Sequence, residues 1–143
     1  KQKSFQNEHT KAHINILFSA SWLSIKGAKM LKSFGISPQQ FNILRILRGM
    51  HPSPGSIKAL TERMIDKSSN ASRLVDKLLA KSLVVKDKCS ADNRRAEVLI
   101  SDEGLQLLEA ASKKMDELAY GLAENISNEE ARQLNELLDK LRG

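Results

Sequence analysis

A mainly α-helical fold with one small β-hairpin is predicted for this chain of 143 residues, and three observations predict it. Apolar residues recur at helical spacing over most of its length. Aromatic residues make up only 4%, which favours helices packed with Leu, Ile and Ala. Two β-branched runs flank a single polar turn, LVVKDKC at 83–89 and EVLIS at 97–101. The order read along the chain is four helices, the hairpin, then two helices.

From about Thr10 to Lys32, Ile14, Leu17, Phe18, Trp22 and Ile25 form one apolar stripe before Phe34-Gly35-Ile36 breaks it. Ser37-Pro38-Gln39-Gln40 is a helix start: Ser37 caps, Pro38 sits where its missing N–H is harmless, and Gln40 returns the capping-box bond. Phe41, Ile43, Leu44, Ile46 and Leu47 leave only Asn42, Arg45 and Arg48 polar, so this helix is expected to be largely buried. Residues 49–55, with two prolines and two glycines, read as a loop. Ser56 caps a short helix with Ile57, Leu60 and Met64 inward, and Ile65 to Lys67 form the turn after it. The next helix is expected to bury Ala71, Leu74, Val75, Leu78 and Leu79, an i, i+3, i+4, i+7, i+8 set.

Ser90-Ala91-Asp92-Asn93 is the turn between the two strands. Ser101-Asp102-Glu103 then places a cap and two acids at a helix N-terminus, where the helix dipole favours them. Its stripe runs through Leu105, Leu108, Ala111, Met115, Leu118, Ala119 and Leu122. Ile126-Ser127-Asn128-Glu129-Glu130 opens the last helix with a capping box and a hydrophobic staple, ahead of Leu134, Leu137, Leu138 and Leu141.

The net charge of +6 is unevenly spread. Residues 1–56 carry eight basic residues against one acidic, 57–97 ten against six, and 102–143 five against ten. The basic first helix and acidic last helices are expected to pack together, leaving the middle +4 as the footprint for a polyanion. No apolar run approaches the roughly 20 residues of a membrane span, and no signal-peptide pattern follows the first residues. A single cysteine, Cys89, excludes an internal disulfide and fits a reducing, cytoplasmic setting. The chain opens on Lys rather than Met and is expected to begin inside a longer natural one.

The chemistry concentrates in residues 57–104. A helix, a tight turn and a second helix with a polar outer face, followed by a basic hairpin, form a winged helix–turn–helix, a DNA-reading device. On the second helix the polar face offers Ser69, Asn70, Ser72, Arg73, Asp76 and Lys77. Arg and Asn can each hold a base edge by two hydrogen bonds, whereas Ser and Lys suit phosphates. Asp76 opposes phosphate and is expected to pair with Arg73, Lys77 or a neighbouring helix. At the hairpin tip, Asp92, Arg94 and Arg95 cluster; Asp92 would hold an arginine ready for a narrow, A·T-rich minor groove. An ordinary solvated helix and an exposed Asp–Arg pair are the competing readings, and the helix–turn–helix spacing beside the wing outweighs both.

SRLVDKLLAKSLVVK followed by DNRRAEVLISDEG resembles the recognition helix and wing of the MarR family of bacterial transcription regulators. Asp92, Arg94, Ser101 and Gly104 fall on that family's Asp-x-Arg and Thr-x-x-Gly wing pattern. The likeness covers about residues 36–104. Two positions depart from it: Ser82 stands where the family has Gly, so a mildly strained left-handed backbone is expected there, and Ser101 replaces Thr. The resemblance implies a homodimer built from the terminal helices and a pseudo-palindromic duplex operator. It also implies release by a small, often aromatic, ligand bound between the dimerisation and DNA-binding parts. The division is then residues 1–35 as an N-terminal dimerisation helix, 36–101 as the DNA-binding domain and 102–143 as C-terminal dimerisation helices.

A ligand pocket in such a fold is expected between the first two helices and the start of the fifth, lined by His13, Trp22, Met30, Phe41 and Arg45, with Arg45 suited to an anion. Cys89 beside Lys86 and Lys88 reads as structural rather than redox-sensing. His9, His13 and His51 are scattered, so no metal site, cofactor or catalytic constellation is expected. Two rival readings are a winged-helix protein-interaction module and a hydrolase using His13 or His51. The basic wing argues against the first, and the lack of a nucleophile–base pair against the second.

Overall fold

The computed structural model describes residue 5, residues 7–86 and residues 97–143. Its elements follow the order α1 Glu8–Leu31, a short 3-10 turn Lys32–Phe34, α2 Pro38–Met50, β1 Gly55–Ser56, α3 Ile57–Arg63, α4 Ala71–Leu79, β2 Val84–Lys86, β3 Glu97–Ile100, α5 Asp102–Ala123 and α6 Asn128–Arg142. The helix starts obey local chemistry. Ser37 and Gln40 close a capping box with Pro38 in the first turn of α2, and Ser127 and Glu130 do the same for α6. Helix α1 begins slightly earlier than its apolar stripe suggests, because the Asn7 side chain accepts the Thr10 N–H at 2.8 Å.

The core lies around α2, which buries Gln40, Phe41, Ile43, Leu44 and Leu47. Leu60 and Met64, Val75 and Leu78, Val84, Val98 and Ile100, and Leu108 and Ala111 close on it from α3 and its C-cap, α4, the sheet and α5. Leu74 and Leu79 of α4 pack at the core's margin rather than inside it. The strands form an antiparallel sheet in the order β1-β3-β2, with Val84 opposite Ile100 and Lys86 opposite Val98. Strand β1 was not legible in the sequence, where its two residues read as loop and cap. Two residues are too few to show an alternation; pairing of Gly55 with Val98 and Ser56 with Glu97 makes them a strand.

The end of α4 is locked to the start of α5. Leu83 N–H bonds to Leu78 O and Ser82 N–H to Leu79 O, both at 3.0 Å, the paired bonds that end a helix through a left-handed residue. That residue is Ser82, with φ of 58°, as the resemblance implies at a position where the family has Gly. The Ser101 hydroxyl donates to Ser82 O at 2.7 Å, Ser101 N–H reaches Leu83 O, and Ser101 Oγ also caps α5 at Gly104 N–H. Gly104 is required here: a Cβ would sit 2.1 Å from the Leu83 carbonyl oxygen.

The terminal helices are different. Phe18 and Ile25 on α1 stay 72% and 68% exposed, and α6 buries no residue at all. Helix α1 packs against α5 near Gly27 and Met115. The expected electrostatic packing of basic first and acidic last helices is not what holds them. Among the described residues every ion pair joins side chains three or four apart on one helix. No helix of the described residues is long and apolar enough to cross a membrane.

Candidate nucleic-acid interface

The turn between α3 and α4 is built almost entirely from short polar side chains. Helix α3 ends at Met64, which is buried, so Ile65 emerges into solvent with its N–H bound to Asn42 Oδ1 of α2 at 3.0 Å. Asp66 then accepts from Ser68 N–H at 3.0 Å, Ser68 Oγ at 2.6 Å and Ser69 Oγ at 2.7 Å. These bonds hold the exposed Asp66 carboxyl below the usual carboxylate range, the Ser68 hydroxyl contributing most and the Ser69 hydroxyl next. The turn is thus fixed from both sides: by α2 through Asn42 and by its own Asp66.

Helix α4 starts at Ala71, two residues later than a helix carrying Ser69 and Asn70 on its face requires. Asn70 is the N-cap, its Oδ1 accepting Arg73 N–H at 3.0 Å, and Ser69 lies in the turn bonded to Asp66. As a cap, Asn70 Oδ1 already accepts one bond, which leaves one lone pair and the amide donor for a base edge. Ser72, Arg73, Asp76 and Lys77 are exposed on the helix, opposite the buried Ala71, Val75 and Leu78. A helix with its side chains is about 10 to 12 Å across, which a major groove roughly 12 Å wide admits. Among the described residues Asp76 joins no ion pair, contrary to the expected pairing with Arg73, Lys77 or a neighbouring helix.

Strands β2 and β3 leave side by side from this helix, with Lys86 exposed at the end of β2. The tip residues Asp92, Arg94 and Arg95, and Cys89, lie outside the described residues. What sequence reasoning missed here is Asp66 and Asn42. The Asp-x-Ser-Ser string was a readable turn signal. Asn42 was not readable, because its partner is 23 residues away.

The expected ligand residues do not come together as a set. Trp22 and Met30 line one cavity of about 590 Å³ between α1 and α5. Phe41 is in the core, Arg45 is exposed with its guanidinium 6.0 Å from the Phe41 ring, and His13 is exposed on the first half of α1. Among the described residues no group of three His, Cys, Asp or Glu side chains is placed to hold a metal ion.

A helix–turn–helix pinned to a three-stranded sheet, with a bare basic face on its second helix, defines the class of winged-helix DNA-binding transcription regulators. Residues 36–96 match the model of the MarR family. The chain is 27% identical over 116 residues to the uncharacterized HTH-type transcriptional regulator YdgJ of Bacillus subtilis, covering 81% of this chain and 70% of that protein. Its fold matches a MarR-like transcription regulator from Bacillus cereus, with a TM-score of 0.83 at 20% identity over 94% of this chain and 96% of the other. It also matches the organohalide-sensing regulator RdhR-CbdbA1625 in its 2,4-dichlorophenol-bound form, with a TM-score of 0.85 at 19% identity over 99% of this chain and 85% of that one.

Proposed function

We propose that this chain is a homodimeric transcription repressor that binds a pseudo-palindromic duplex operator and leaves it when a small molecule binds. The observation that carries the reading is the solvent face of α4. Ser72, Arg73 and Lys77 stand free beside a helix whose other face is locked into the core, so the probe is rigid where it must enter a groove. Arg73 is the base reader, with two donors for guanine O6 and N7. Ser69, Ser72 and Lys77 take phosphates, and Asn70 contributes its amide donor while holding the helix start. Asp92, Arg94 and Arg95 at the wing tip are assigned the neighbouring minor groove on their sequence pattern.

The exposed stripes of α1 and α6 support the dimer, since a second copy of this chain supplies the apolar partner that its own core does not. The α1–α5 cavity supports the effector, as does the dichlorophenol bound by the structural neighbour.

A binding selection on random duplexes, followed by titration of variants at several salt concentrations, tests the assignment. Arg73→Ala is expected to lose about 1 to 3 kcal/mol and to relax preference at a few positions. Arg94→Ala is expected to weaken binding broadly, most on A·T-rich flanks. Equal losses for both variants on every sequence would remove the division of labour. A duplex affinity that does not fall with salt would favour the protein-interaction reading instead, because phosphate contacts release counterions.

A further inference from the structure

Both ends of the reading unit are tied to one short stretch of chain, residues 35–42, which carries α1 into α2. Ahead of α4 the tie is Asn42, whose Oδ1 accepts Ile65 N–H in the turn at 3.0 Å. Behind α4 the tie is Lys81, whose ammonium donates to the Gly35 carbonyl oxygen, 46 residues earlier in the sequence. Helix α1 packs on α5 and α2, whereas α4 packs on α2, α3 and β2. Among the described residues no other side-chain hydrogen bond joins α4, or the residues that end it, to α1 or the connection after it.

The two points that Lys81 joins are themselves fixed. Gly35 follows buried Leu31 and precedes buried Ile36, and its N–H bonds to Lys32 O at 3.0 Å. Its φ of 66° closes the 3-10 turn that continues α1, so its carbonyl stands at the end of that helix where positive charge is favoured. On the other side, Lys81 N–H bonds to Leu78 O at 3.2 Å, and Leu83 is buried two residues on. Only the lysine side chain spans the gap between these two pieces of backbone. Both residues are exposed, and an exposed polar pair adds little to overall stability. What it can do is hold the end of a short helix against the end of a long one.

We propose that Lys81 is a positioning residue for operator binding. By tying the end of α4 to the α1–α2 connection, it sets the angle between the reading helix and the dimerisation helix, and so the spacing of the two reading helices in a dimer. The proposal rests on the dimeric DNA-binding reading above and adds a residue that tunes it without touching DNA. In a dimer built on α1, an untied α4 samples orientations that do not fit two grooves at once. Affinity for a correctly spaced operator then falls with the fraction of chains correctly oriented. An operator of altered spacing loses nothing, so discrimination between half-site spacings shrinks.

Hydrogen exchange on the free chain reads the tie without DNA. Lys81→Met keeps the apolar stem, removes the ammonium, and is expected to speed exchange about fivefold at residues 32–36 and 79–83 alike. Lys81→Arg keeps a donor and is expected to return both segments to the wild-type rate. Operators of graded half-site spacing then read the consequence. At the spacing that the wild type prefers, Lys81→Met is expected to bind about fivefold more weakly, with other spacings unchanged and the same slope of log affinity against log salt. Lys81→Arg should restore the preference. Lys77→Gln, which removes a charge assigned to phosphate, should instead lower that slope by about one at every spacing.

Faster exchange at 79–83 alone would overturn the proposal, since Lys81 would then serve only its own helix end. Weakening by the same factor at every spacing would overturn it too. So would a Lys81→Met salt slope lower by about one, which makes Lys81 a phosphate contact. Linked exchange in a chain with no duplex affinity keeps the hold of Lys81 on α4 and removes the repressor reading instead.

Discussion

Helices α4 and α6 carry the same signals in sequence and come to opposite ends. Each opens on a capping side chain, Asn70 for α4 and Ser127 for α6, and each has an apolar stripe at helical spacing. Helix α4 buries Ala71, Val75 and Leu78. Helix α6 buries nothing, and Leu134, Leu137 and Leu141 remain 48%, 65% and 66% exposed. A stripe therefore says that a helix has an inner face; it does not say which chain supplies the interior. For α4 the interior is α2, α3 and β2 of the same chain. For α6 the proposed one is a second copy, whose contact would turn exposed leucines into buried ones at about 1.5 to 3 kcal/mol each.

The sharpest way to break this contrast is to truncate one leucine on each helix. Leu78→Ala is expected to lower unfolding free energy by about 2 to 5 kcal/mol, because Leu78 is fully buried and the surrounding core closes only partly over the gap. Leu137→Ala should change the isolated chain by less than about 0.5 kcal/mol, yet shift the monomer–dimer equilibrium towards monomer. Denaturation and sedimentation at two protein concentrations separate the effects. A loss for Leu137→Ala as large as that for Leu78→Ala, in a chain shown to be monomeric, would mean that α6 has an interior of its own.

Removing the caps sharpens the comparison at a smaller scale. Asn70→Ala and Ser127→Ala each delete a side-chain acceptor for an orphan helix N–H, and each is expected to lose about 1 kcal/mol of helix stability. Their consequences should diverge. Asn70→Ala frees the start of α4, where Arg73 is both the cap's partner and the proposed base reader, so operator affinity falls with it. Ser127→Ala also removes the bond that the Ser127 hydroxyl donates to the Glu130 carboxylate, and its loss should appear in dimer affinity. Equal effects of both variants on operator binding would deny α4 its separate role.

The elements that local chemistry dictates were legible in the sequence. The two capping boxes and the burial of α2 each follow from a few adjacent residues or from a pattern of fixed length, whereas the left-handed backbone at Ser82 was expected only from the family resemblance. What escaped depends on contacts across the fold. The two-residue β1 exists because β3 pairs with it, Asn42 acts through Ile65 N–H, and the cavity is made where α1 crosses α5. The start of α4 fell in between. Ser69 and Asn70 read as helix because SNAS precedes an apolar stripe without a break, and only the Asp66 and Asn70 bonds show that the first two residues belong to the turn.

Where α4 ends, a substitution should help rather than harm. Ser82 holds φ of 58°, a conformation that disfavours residues with a Cβ. Ser82→Gly removes that strain but adds backbone freedom to the unfolded chain, and the net gain is expected to be about 0.5 to 1 kcal/mol. The bonds that use Ser82 are its backbone N–H and C=O, which glycine keeps. A loss of stability on denaturant unfolding would show that the Ser82 side chain has a contact of its own.

The smallest expected effect is electrostatic, and it too pairs the two regions. Asp66 in the α3–α4 turn and Glu130 at the start of α6 both sit below their ordinary values, Asp66 chiefly through the Ser68 hydroxyl and Glu130 chiefly through the Ser127 N–H. A depressed folded-state value means that the ionised form is stabilised by folding. The contribution is complete above the unfolded value, near pH 4, and is lost as pH falls through the folded one. Both groups are exposed, so the effect is slight. It can still be separated by hydrogen exchange between pH 6 and pH 3. In the wild type, protection of Ser68 N–H should fall at the acid end, and Asp66→Asn should flatten that fall while leaving the start of α6 unchanged. Glu130→Gln should do the reverse. Protection that instead rises as the acids protonate would contradict the sign of both shifts, and a single variant that flattened both transitions would mean that the two regions do not open independently.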